Sequence, residues 1–386
     1  MTNDDARSSR IAFLEQSAIR GMTRHCERLG GINLGQGVCP LPAPEVLLEA
    51  TAESVREDLS TYSRWEGVEP LREALADKLK RHNGLDIDAD RHLVTTVGSA
   101  GAFACTLQAL FEEGDQIIVF EPYYGYHVNA IRVSDCIPKV VSLQPPGWEL
   151  DEVALRDAIG ENTRGIVVNT PSNPSGKVFD REELETIAAV CEEHDLLAIT
   201  DEIYEYMVYD DAEHISLATI DGMFERTVTI SGFSKTFAIT GWRLGYAAAP
   251  QRLAEPIGLV NDLFYICAPT PLQHGLARAL GRIDESYYDD MCAKYRRNRD
   301  LICEALESAG FAPHVPDGSY YILADVSALG CEDSTAAAME LLERAGVAAV
   351  PGEAFFQSDA GDQLLRFCVA QPLELLEEAA ERLQGL

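Results

Sequence analysis

The chain has 386 residues, of which 46% are hydrophobic and 24% are charged, the composition of an ordinary globular protein. Its 63 acidic residues outnumber the 31 basic ones, giving a formal net charge of −32 at pH 7. Nucleic acids and anionic membrane surfaces are therefore excluded as expected partners, because both require a basic protein surface. The excess of acidic residues leads to the hypothesis that the host organism is adapted to high salt or to acid.

Ten cysteines are scattered along the chain without a C-x-x-C pair, and the eight histidines show no metal-ligand spacing. This pattern predicts reduced, mostly buried thiols rather than a disulfide framework or a zinc site, so no metal is expected. Residues 1–10 are polar and do not form a signal peptide. No apolar run reaches the ~20 residues of a membrane-spanning helix. We therefore expect a cytoplasmic protein.

The first part of the chain predicts helices separated by loops. Apolar residues at helical spacing begin at Ile11, and further helices are predicted at 45–59 and 69–81. Between them, an extended segment at 32–37 leads into a proline-rich loop at 39–44.

From residue 92 onward, short β-type runs alternate with helical ones. Strands are predicted at 92–97, 116–120, 165–169, 196–200, 227–230 and 244–248, and helices at 101–111, 182–194 and 271–280. This alternation predicts a largely parallel sheet covered by helices on both faces. The continuous apolar run 117–120 fits a strand buried on both sides.

After residue 281 the pattern changes to a charged helix at 284–306, strands at 320–326 and 364–369, and a helix at 373–383. We interpret this as a smaller α+β domain to which the N-terminal segment also contributes. The predicted limits are 46–281 for the large domain, and 1–45 with 282–386 for the small one.

Ligands of open α/β sheets bind beyond the carboxyl ends of the strands, where several polar or small residues of this chain are found. They are the glycine-rich turn 98–102, the tyrosine-rich run 123–126, Asn173 between two prolines, Asp201, and Lys235 with Arg243. Small residues at a helix start suit an anion, although tight strand–helix packing is the plainer explanation. A carboxylate directly after a buried strand is costly unless a cationic group meets it.

Lys235 has the most unusual surroundings of the six lysines, because its neighbours from 231 to 246 are small, apolar or aromatic and none is acidic. A lysine in such a setting is costly unless it is paired, neutral or covalently used, and Schiff-base lysines occupy such settings. The plainer alternative is a surface loop lysine. Together, the strand ends supply the amine, the carboxylate, the aromatic face and the anion site that pyridoxal phosphate requires.

These motifs resemble the class I/II aminotransferases, fold-type I pyridoxal-phosphate enzymes, over nearly the whole chain from residue 19. The matching segments are 32–37 (INLGQG), Tyr62, 173–176 (NPSG), 201–204 (DEIY), Ser234-Lys235, 241–246 (GWRLGY) and 365–368 (LRFC). The branch with kynurenine, methionine and γ-type aspartate or aromatic aminotransferases is the most similar. The resemblance implies an α/β fold with a mostly parallel seven-stranded sheet, a smaller α+β domain, and transfer of an amino group from an L-amino acid to a 2-oxo acid.

The resemblance also implies roles around the cofactor. Lys235 would form the internal aldimine and then move the proton, and Asp201 would keep the pyridine nitrogen protonated. Asn173 and Tyr204 would bond the phenolic oxygen, and Tyr124 would stack on the ring. The phosphate would be held by Ser99, Ala100, Ser234 and Arg243.

For the substrate, the resemblance implies that Arg366 clamps the α-carboxylate in a bidentate manner, that Asn173 assists, and that Gly37 leaves room for it. Tyr62 would reach the phosphate of a neighbouring subunit, which implies a homodimer with shared active sites. For a second substrate carboxylate the sequence offers only Arg64, although a loop arginine is more often solvated.

The chain departs from the family pattern in two places. Many members have a phosphate-binding serine three residues before the lysine, where this chain has Gly232, so Ser231 or Ser234 would have to substitute. The loop after 350–356 lacks a glycine that many relatives have, so substrate specificity does not transfer from any one relative.

Two alternatives remain open at this point. A carbon–sulfur β-lyase, a decarboxylase or a racemase would use the same Lys235, Asp201 and Arg366. A non-catalytic regulatory domain that binds pyridoxal phosphate is disfavoured, because nothing basic or helix-turn-helix-like precedes Ile19.

Overall fold

The computed structural model describes residues 7–14 and 18–386, so residues 1–6, on which part of the signal-peptide prediction rests, lie outside the described chain. The strands, in chain order, are β1 Ile32–Asn33, β2 Leu93–Val97, β3 Gln116–Glu121, β4 Ile137–Ser142, β5 Thr163–Asn169, β6 Leu197–Asp201, β7 Thr227–Gly232, β8 Leu244–Ala248, β9 Ala312–His314, β10 Tyr321–Asp325, β11 Val347–Ala348, β12 Val350–Pro351 and β13 Leu364–Cys368.

The helices, in chain order, are α1 Ala18–Leu29, α2 Glu45–Arg56, α3 Glu69–Lys78, α4 Gly98–Leu110, α5 Gly125–Val133, α6 Glu152–Asp157, α7 Arg181–Glu193, α8 Gln251–Tyr265, α9 Thr270–Leu280, α10 Ser286–Ser308, α11 Ser334–Ala345 and α12 Leu373–Gln384. A π-helical turn, Leu79–Asn83, directly follows α3. Within residues 7–14 and 18–386, no helix combines the length and apolar character that a membrane crossing requires.

Seven strands form the main sheet in the order β2-β8-β7-β6-β5-β3-β4. All neighbouring pairs are parallel except the two that involve β8, which runs antiparallel to β2 and β7. The prediction of a mostly parallel seven-stranded sheet is confirmed. Because β5, β6 and β7 are parallel neighbours, the loops after their carboxyl ends emerge at one edge.

The main sheet is buried on both faces, as its continuous apolar strands predict. Ile118 and Ile166 belong to the core on one face, whereas Ile117 and Val167 belong to the core on the other. Successive side chains of a strand point to opposite faces, so both layers of helices have an apolar surface to cover.

A smaller antiparallel sheet, in the order β12-β13-β10-β9, lies in the C-terminal part of the chain. The N-terminal strand β1 pairs in parallel with β11, with Ile32 opposite Val347. This pairing brings the N-terminal segment to the C-terminal unit. The exact domain limits, 46–281 against 1–45 with 282–386, stay a prediction.

Several elements differ from the sequence prediction. Strand β4 was missed because Pro138 and Lys139 interrupt its apolar pattern, which an edge strand tolerates and a central strand does not. Helices α5, α6, α8 and α11 were also missed. Helix α3 ends at Lys78 instead of continuing to residue 81, because the chain passes into the π-helical turn and then into Gly84 at φ 73°.

Candidate active site

A cavity of about 270 Å³ lies where the loops after the parallel strands meet the small domain. Eight of the residues predicted from the sequence line it: Gly37, Ser99, Tyr124, Asn173, Asp201, Tyr204, Lys235 and Arg366. These residues come from seven separate stretches of the chain, so only the fold brings them together. The other predicted residues, Tyr62, Ala100, Ser234 and Arg243, are not part of the lining.

Lys235 follows β7 and is partly buried at the cavity wall. Its Nζ donates a hydrogen bond to the carbonyl oxygen of Gly37 at 3.1 Å. The ammonium also lies 5.7 Å from the ring centre of Tyr320 and 6.0 Å from that of Tyr204. The amine is therefore held by one carbonyl and by aromatic faces, with no carboxylate bonded to it among the residues that the structure describes.

Asp201 is the last residue of β6 and is only 7% exposed. Its Oδ2 lies 2.9 Å from Nε2 of His127, and its Oδ1 accepts the backbone N–H of Ile203 at 3.3 Å. The sequence did not predict His127, because no helix was expected at α5, on which it lies. Its signal was a histidine three residues after Tyr124, in the tyrosine-rich run that follows β3.

Arg366 lies on β13 and is 1% exposed. Its Nη1 donates to Oδ1 of Asn173 at 2.8 Å and its Nη2 to the carbonyl oxygen of Gly35 at 2.6 Å. The guanidinium lies between the rings of Tyr321, 4.2 Å away, and Phe355, 4.8 Å away. Its Nε is buried and has no hydrogen-bond partner among the described residues. A buried cation with a spare donor and no carboxylate partner is suited to an anionic ligand.

Tyrosines form much of the cavity wall. The hydroxyl of Tyr204 donates to that of Tyr321 at 3.3 Å, and Tyr124 stacks on Tyr126 with ring centres 5.1 Å apart. Burial raises the pKa of Tyr204 and Tyr124, so both phenols stay protonated and can donate hydrogen bonds at neutral pH. Tyr321, which the sequence analysis missed, also explains Gly37: a Cβ there would lie 1.9 Å from the Tyr321 hydroxyl oxygen.

The start of α4 has the features of an anion site. Gly98 has φ 72°, and a Cβ on it would lie 2.4 Å from Nη2 of Arg243, so the arginine lies across the helix start. Arg243 itself has φ 55°, and its Nη1 donates to the carbonyl oxygen of Thr240 at 2.9 Å. Ser99 and Ala100 supply backbone N–H groups of the first helical turn, where the helix dipole favours negative charge.

The structure explains the glycine at position 232. Gly232 pairs with Gly245 across β7 and β8, and a Cβ on it would lie 3.0 Å from the carbonyl oxygen of Leu244. Ser231 is not a substitute, since it is fully buried and its hydroxyl donates to Oε1 of Glu205 at 2.9 Å, outside the cavity. Ser234, which is 8% exposed, stays a prediction as the phosphate-binding serine.

Two arginines differ from the sequence prediction in where they lie and what they contact. Arg64, the cation that the sequence offered for a second substrate carboxylate, forms an ion pair with Glu66 of its own loop. Arg20, which was not singled out, lines the cavity from α1 together with Ile19. Nothing in the local sequence distinguishes Arg20 from the other arginines of that helix.

Comparison with known proteins agrees with this geometry. The family model described as "Aminotransferase class I and II" matches residues 30–383. The chain is 34% identical to the probable N-succinyldiaminopimelate aminotransferase of Mycobacterium tuberculosis, over 97% of this chain and 95% of that protein. It is 33% identical to human kynurenine–oxoglutarate transaminase 1, over 92% of each chain.

Among solved structures, aspartate aminotransferase from Thermus thermophilus with maleate matches with a TM-score of 0.92, at 33% identity and over 99% of both chains. Members of this family use pyridoxal phosphate. The family match at 30–383 spans both sheets and, apart from Ile19 and Arg20, every residue that lines the cavity. This chain therefore belongs to the class I and II aminotransferases and is a pyridoxal-phosphate-dependent aminotransferase.

Proposed function

We propose that the cavity residues have the roles that the family motifs imply. Pyridoxal phosphate fits the residues present: a buried carboxylate, Asp201, faces the same cavity as the Lys235 amine, and an anion site is formed by Gly98 and Arg243. When bound, the cofactor supplies an electron-withdrawing ring that stabilises negative charge at the substrate Cα. Asp201 would hold its ring nitrogen, Asn173 and Tyr204 its phenolic oxygen, and Tyr124 its face.

Protein side chains would anchor the cofactor, transfer the proton and hold the phosphate. Lys235 would anchor the cofactor and, once released, carry the proton to and from the substrate Cα, since among the described residues its Nζ contacts only the Gly37 carbonyl and two rings. His127 would hold the Asp201 carboxylate in place. Ser99, Ala100, Ser234 and Arg243 would hold the phosphate.

One observation carries this proposal: the buried Arg366 faces the same cavity as Lys235 and Asp201 and keeps an unpartnered Nε. Its orientation is fixed by Asn173 and by Gly35, so it can receive an α-carboxylate without rearrangement. Such preorganisation keeps the reacting atoms of the amino acid within reach of the Lys235 amine.

The experiment that tests the assignment uses Lys235→Ala, with Lys139→Ala on the edge strand β4 as its matched control. Lys235→Ala should abolish the visible absorbance of the bound cofactor and turnover together, and Lys139→Ala should change neither. Normal turnover of Lys235→Ala would contradict the proposal. Pyruvate formed from the amino acid without an added oxo acid would instead indicate β-elimination.

We also propose that the enzyme is a homodimer whose partner completes the phosphate site. Arg243 and Ala100 are exposed, and Tyr62 is 78% exposed. The end of α8 presents an exposed apolar surface formed by Leu259, Leu263, Phe264 and Ile266. An apolar patch of this kind is typical of a subunit interface. The ten free thiols support the further proposal that this dimer resides in the reducing cytoplasm.

Mixing two variants tests the shared site. In a heterodimer of a Tyr62→Phe protomer and a Lys235→Ala protomer, one site has an intact lysine and receives an intact tyrosine from the partner. We therefore expect heterodimers to regain wild-type cofactor affinity at that site, measured at limiting cofactor. Affinity equal to that of the Tyr62→Phe homodimer would show that Tyr62 acts within its own subunit.

For the substrate, we propose that Arg20 binds a second, distal carboxylate. The basic residues among the described cavity lining are Arg20, Lys235 and Arg366, and the last two have assigned tasks. Arg20 is exposed at the cavity and forms no ion pair within the described residues, although the chain has a large acidic excess. Two relatives support this choice, since one is named for oxoglutarate and another is solved with maleate, both of which are dicarboxylates.

The Arg20 proposal predicts a difference between oxo-acid acceptors. In Arg20→Gln, kcat/KM for 2-oxoglutarate should fall roughly tenfold, as expected for one charge-assisted hydrogen bond, and that for pyruvate should stay within about twofold. Arg28→Gln, on the same helix and bonded to His25, is the matched control and should change neither. Equal losses for both acceptors would contradict the proposal.

A further inference from the structure

A buried charged cluster lies directly behind the active site. We define it as Lys78, Asn83, Glu202, Glu205 and Ser231, each of which is at most 7% exposed. None of these residues lines the active-site cavity. Burying two carboxylates and an ammonium is costly unless each of them is paired.

Glu205 is the centre of the buried charged cluster. Its Oε2 accepts from Lys78 Nζ at 2.5 Å and from Asn83 Nδ2 at 2.7 Å, and its Oε1 accepts from Ser231 Oγ at 2.9 Å. Burial raises the pKa of Glu205, but the charge and hydrogen bond of Lys78, together with the nearby His82 and His214, outweigh this and lower it to about 2. The carboxylate is therefore ionised throughout the pH range in which an aminotransferase works.

The local backbone brings the side chains of Lys78 and Asn83 together. Lys78 and Asn83 are five residues apart, and the π-helical turn from Leu79 to Asn83 follows Lys78. A π-turn bonds residues i and i+5, so it places Asn83 on the same side as Lys78, where Lys78 Nζ also donates to Asn83 Oδ1 at 2.9 Å. In a regular α-helix these two residues would point in different directions.

The cluster is attached to three catalytic segments. Glu205 directly follows Tyr204, Ser231 lies four residues before Lys235, and Lys78 Nζ donates to the hydroxyl of Tyr246, three residues after Arg243. Asp201 at the end of β6 and Tyr204 in the following turn line the cavity, whereas Glu202 and Glu205 accept hydrogen bonds from Asn83 of the cluster. The backbone N–H of Glu202 also bonds the carbonyl of Ile230 at 2.8 Å.

A metal ion does not account for the cluster. Ligand atoms of Glu202, Glu205 and His214 lie within 4.8 Å of one another. However, Oε1 of Glu202 already accepts from Thr200 and Ser216 at 2.9 Å, and its Oε2 lies 3.0 Å from His214. Both oxygens of Glu205 are likewise engaged, and the Lys78 ammonium occupies the position of a cation.

We propose that Lys78, Glu205 and Ser231 are positioning residues for the transamination, which together fix the Tyr204 hydroxyl and the Lys235 amine relative to the cofactor. The inference rests on the proposed function of Lys235 and Tyr204. Because Glu205 bonds Ser231 on β7 and follows Tyr204 in the chain, loss of its bonds releases both catalytic segments at once. Stability alone is a weaker reason for the cluster, since buried ion pairs add little net stability.

The primary test is Ser231→Ala, which removes one hydroxyl and leaves the Lys78–Glu205 pair in place. Because a hydrogen bond to a charged group is lost, kcat should fall roughly tenfold to a hundredfold while KM changes much less. Because Tyr204 would bond the phenolic oxygen less well, the pH midpoint of the cofactor absorbance change should move upward. A purely structural role would move neither the midpoint nor kcat of the folded enzyme.

Thr229→Val is the matched control for Ser231→Ala. Thr229 lies two residues earlier on β7, is equally buried, and its hydroxyl has no hydrogen-bond partner among the described residues. Removing that hydroxyl should leave both kcat and the absorbance midpoint at their wild-type values. If Ser231→Ala and Thr229→Val behave alike, the positioning role is refuted.

Lys78→Met provides a second measurement at the other end of the cluster. It should shift the absorbance midpoint in the same upward direction, and more than Ser231→Ala, because Glu205 loses its cation. An unchanged midpoint in folded Lys78→Met would overturn the inference. An unchanged midpoint is distinguishable from failure of the proposed function, because the proposed function is tested separately, by whether Lys235→Ala loses the visible absorbance of the cofactor.

Discussion

At the scale of single residues, the site depends on charges that are buried and held from several sides. Arg366 is held by Asn173, by a backbone carbonyl and between two aromatic rings. Asp201 is held by His127 and by a backbone N–H. Such groups cannot reorient towards water, so their hydrogen-bonding capacity stays available to ligands.

Replacing Arg366 by lysine should separate substrate binding from cofactor binding. A lysine keeps the positive charge but lacks the planar fork, and it leaves Asn173 Oδ1 or the Gly35 carbonyl without a donor. We expect KM for the amino acid to rise by roughly tenfold to a hundredfold, with the visible spectrum of the bound cofactor retained. Arg344→Lys, at an exposed pair with Glu340, is the control. Loss of the cofactor from Arg366→Lys would refute the assigned role.

The Lys78–Glu205 pair should make stability depend on acid pH. The pKa of Glu205 in the folded protein, about 2, lies below its ordinary value of 4.5, so its stabilising contribution is present above pH 4.5 and is lost as the pH falls towards 2. The difference in unfolding temperature between wild type and Glu205→Gln should therefore be largest above pH 5 and shrink towards pH 3. Glu193→Gln, at an exposed pair with Arg156, should show only a small difference at any pH.

At the scale of secondary-structure elements, the N-terminal end of α4 is the place where we propose that the cofactor phosphate binds. Gly98 combines a positive φ with close contact to Arg243, and a Cβ on Gly245 of β8 would lie 2.5 Å from Ser99 N. Two glycines thus allow a helix start, a strand and an arginine to approach one another. The backbone N–H groups of the first turn remain directed at the anion site.

Gly98→Ala should weaken cofactor binding beyond its effect on stability. An alanine at φ 72° costs about 1–2 kcal/mol, and its Cβ would also displace Arg243. Gly310→Ala is the matched control, since Gly310 has φ 81° with nothing within 4 Å of a Cβ. Both variants should lose similar stability by thermal unfolding, but only Gly98→Ala should raise the dissociation constant of pyridoxal phosphate. Equal dissociation constants would contradict the phosphate assignment.

At the scale of the whole molecule, the dominant property is its charge. Some basic residues, such as Arg366 and Lys78, are buried, and the acidic excess of 63 to 31 leaves much of the surface negative. Like charges repel one another over about 10 Å at 0.1 M salt and over only about 3 Å at 1 M. Folding therefore brings mutually repelling carboxylates together.

Added salt should consequently stabilise the protein. We expect the unfolding temperature at neutral pH to rise between about 0.05 M and 1 M potassium chloride, because screening reduces repulsion in the compact state. Activity should be retained over the same range if the surface is adapted to salt. Unfolding temperature and activity that are both insensitive to salt would end the hypothesis of a high-salt host.

The sequence by itself determined the sheet and most of the reaction centre. Strands β3, β5, β6 and β7 are apolar on both faces and end in residues with unusual chemistry, so the amine, the carboxylate and the asparagine could be named in advance. The family resemblance added Arg366. Strand β4 was not predicted, because it is an edge strand and contains a proline and a lysine that interrupt its apolar pattern. Helices α5, α6, α8 and α11 were not predicted either, although the amphipathic patterns of α8 and α11 are as clear as those of the predicted helices α2 and α7.

Only the tertiary structure decided the contacts between residues that are distant in the chain. His127 beside Asp201, Tyr321 above Gly37 and Arg20 at the cavity have ordinary local surroundings, so no short pattern marks them. The same holds for Lys78 and Glu205, which are 127 residues apart. Local sequence fixes which segment a side chain belongs to and which face it points from. The residue that a side chain contacts depends on which other segment of the chain packs against it, and this is determined by the tertiary structure.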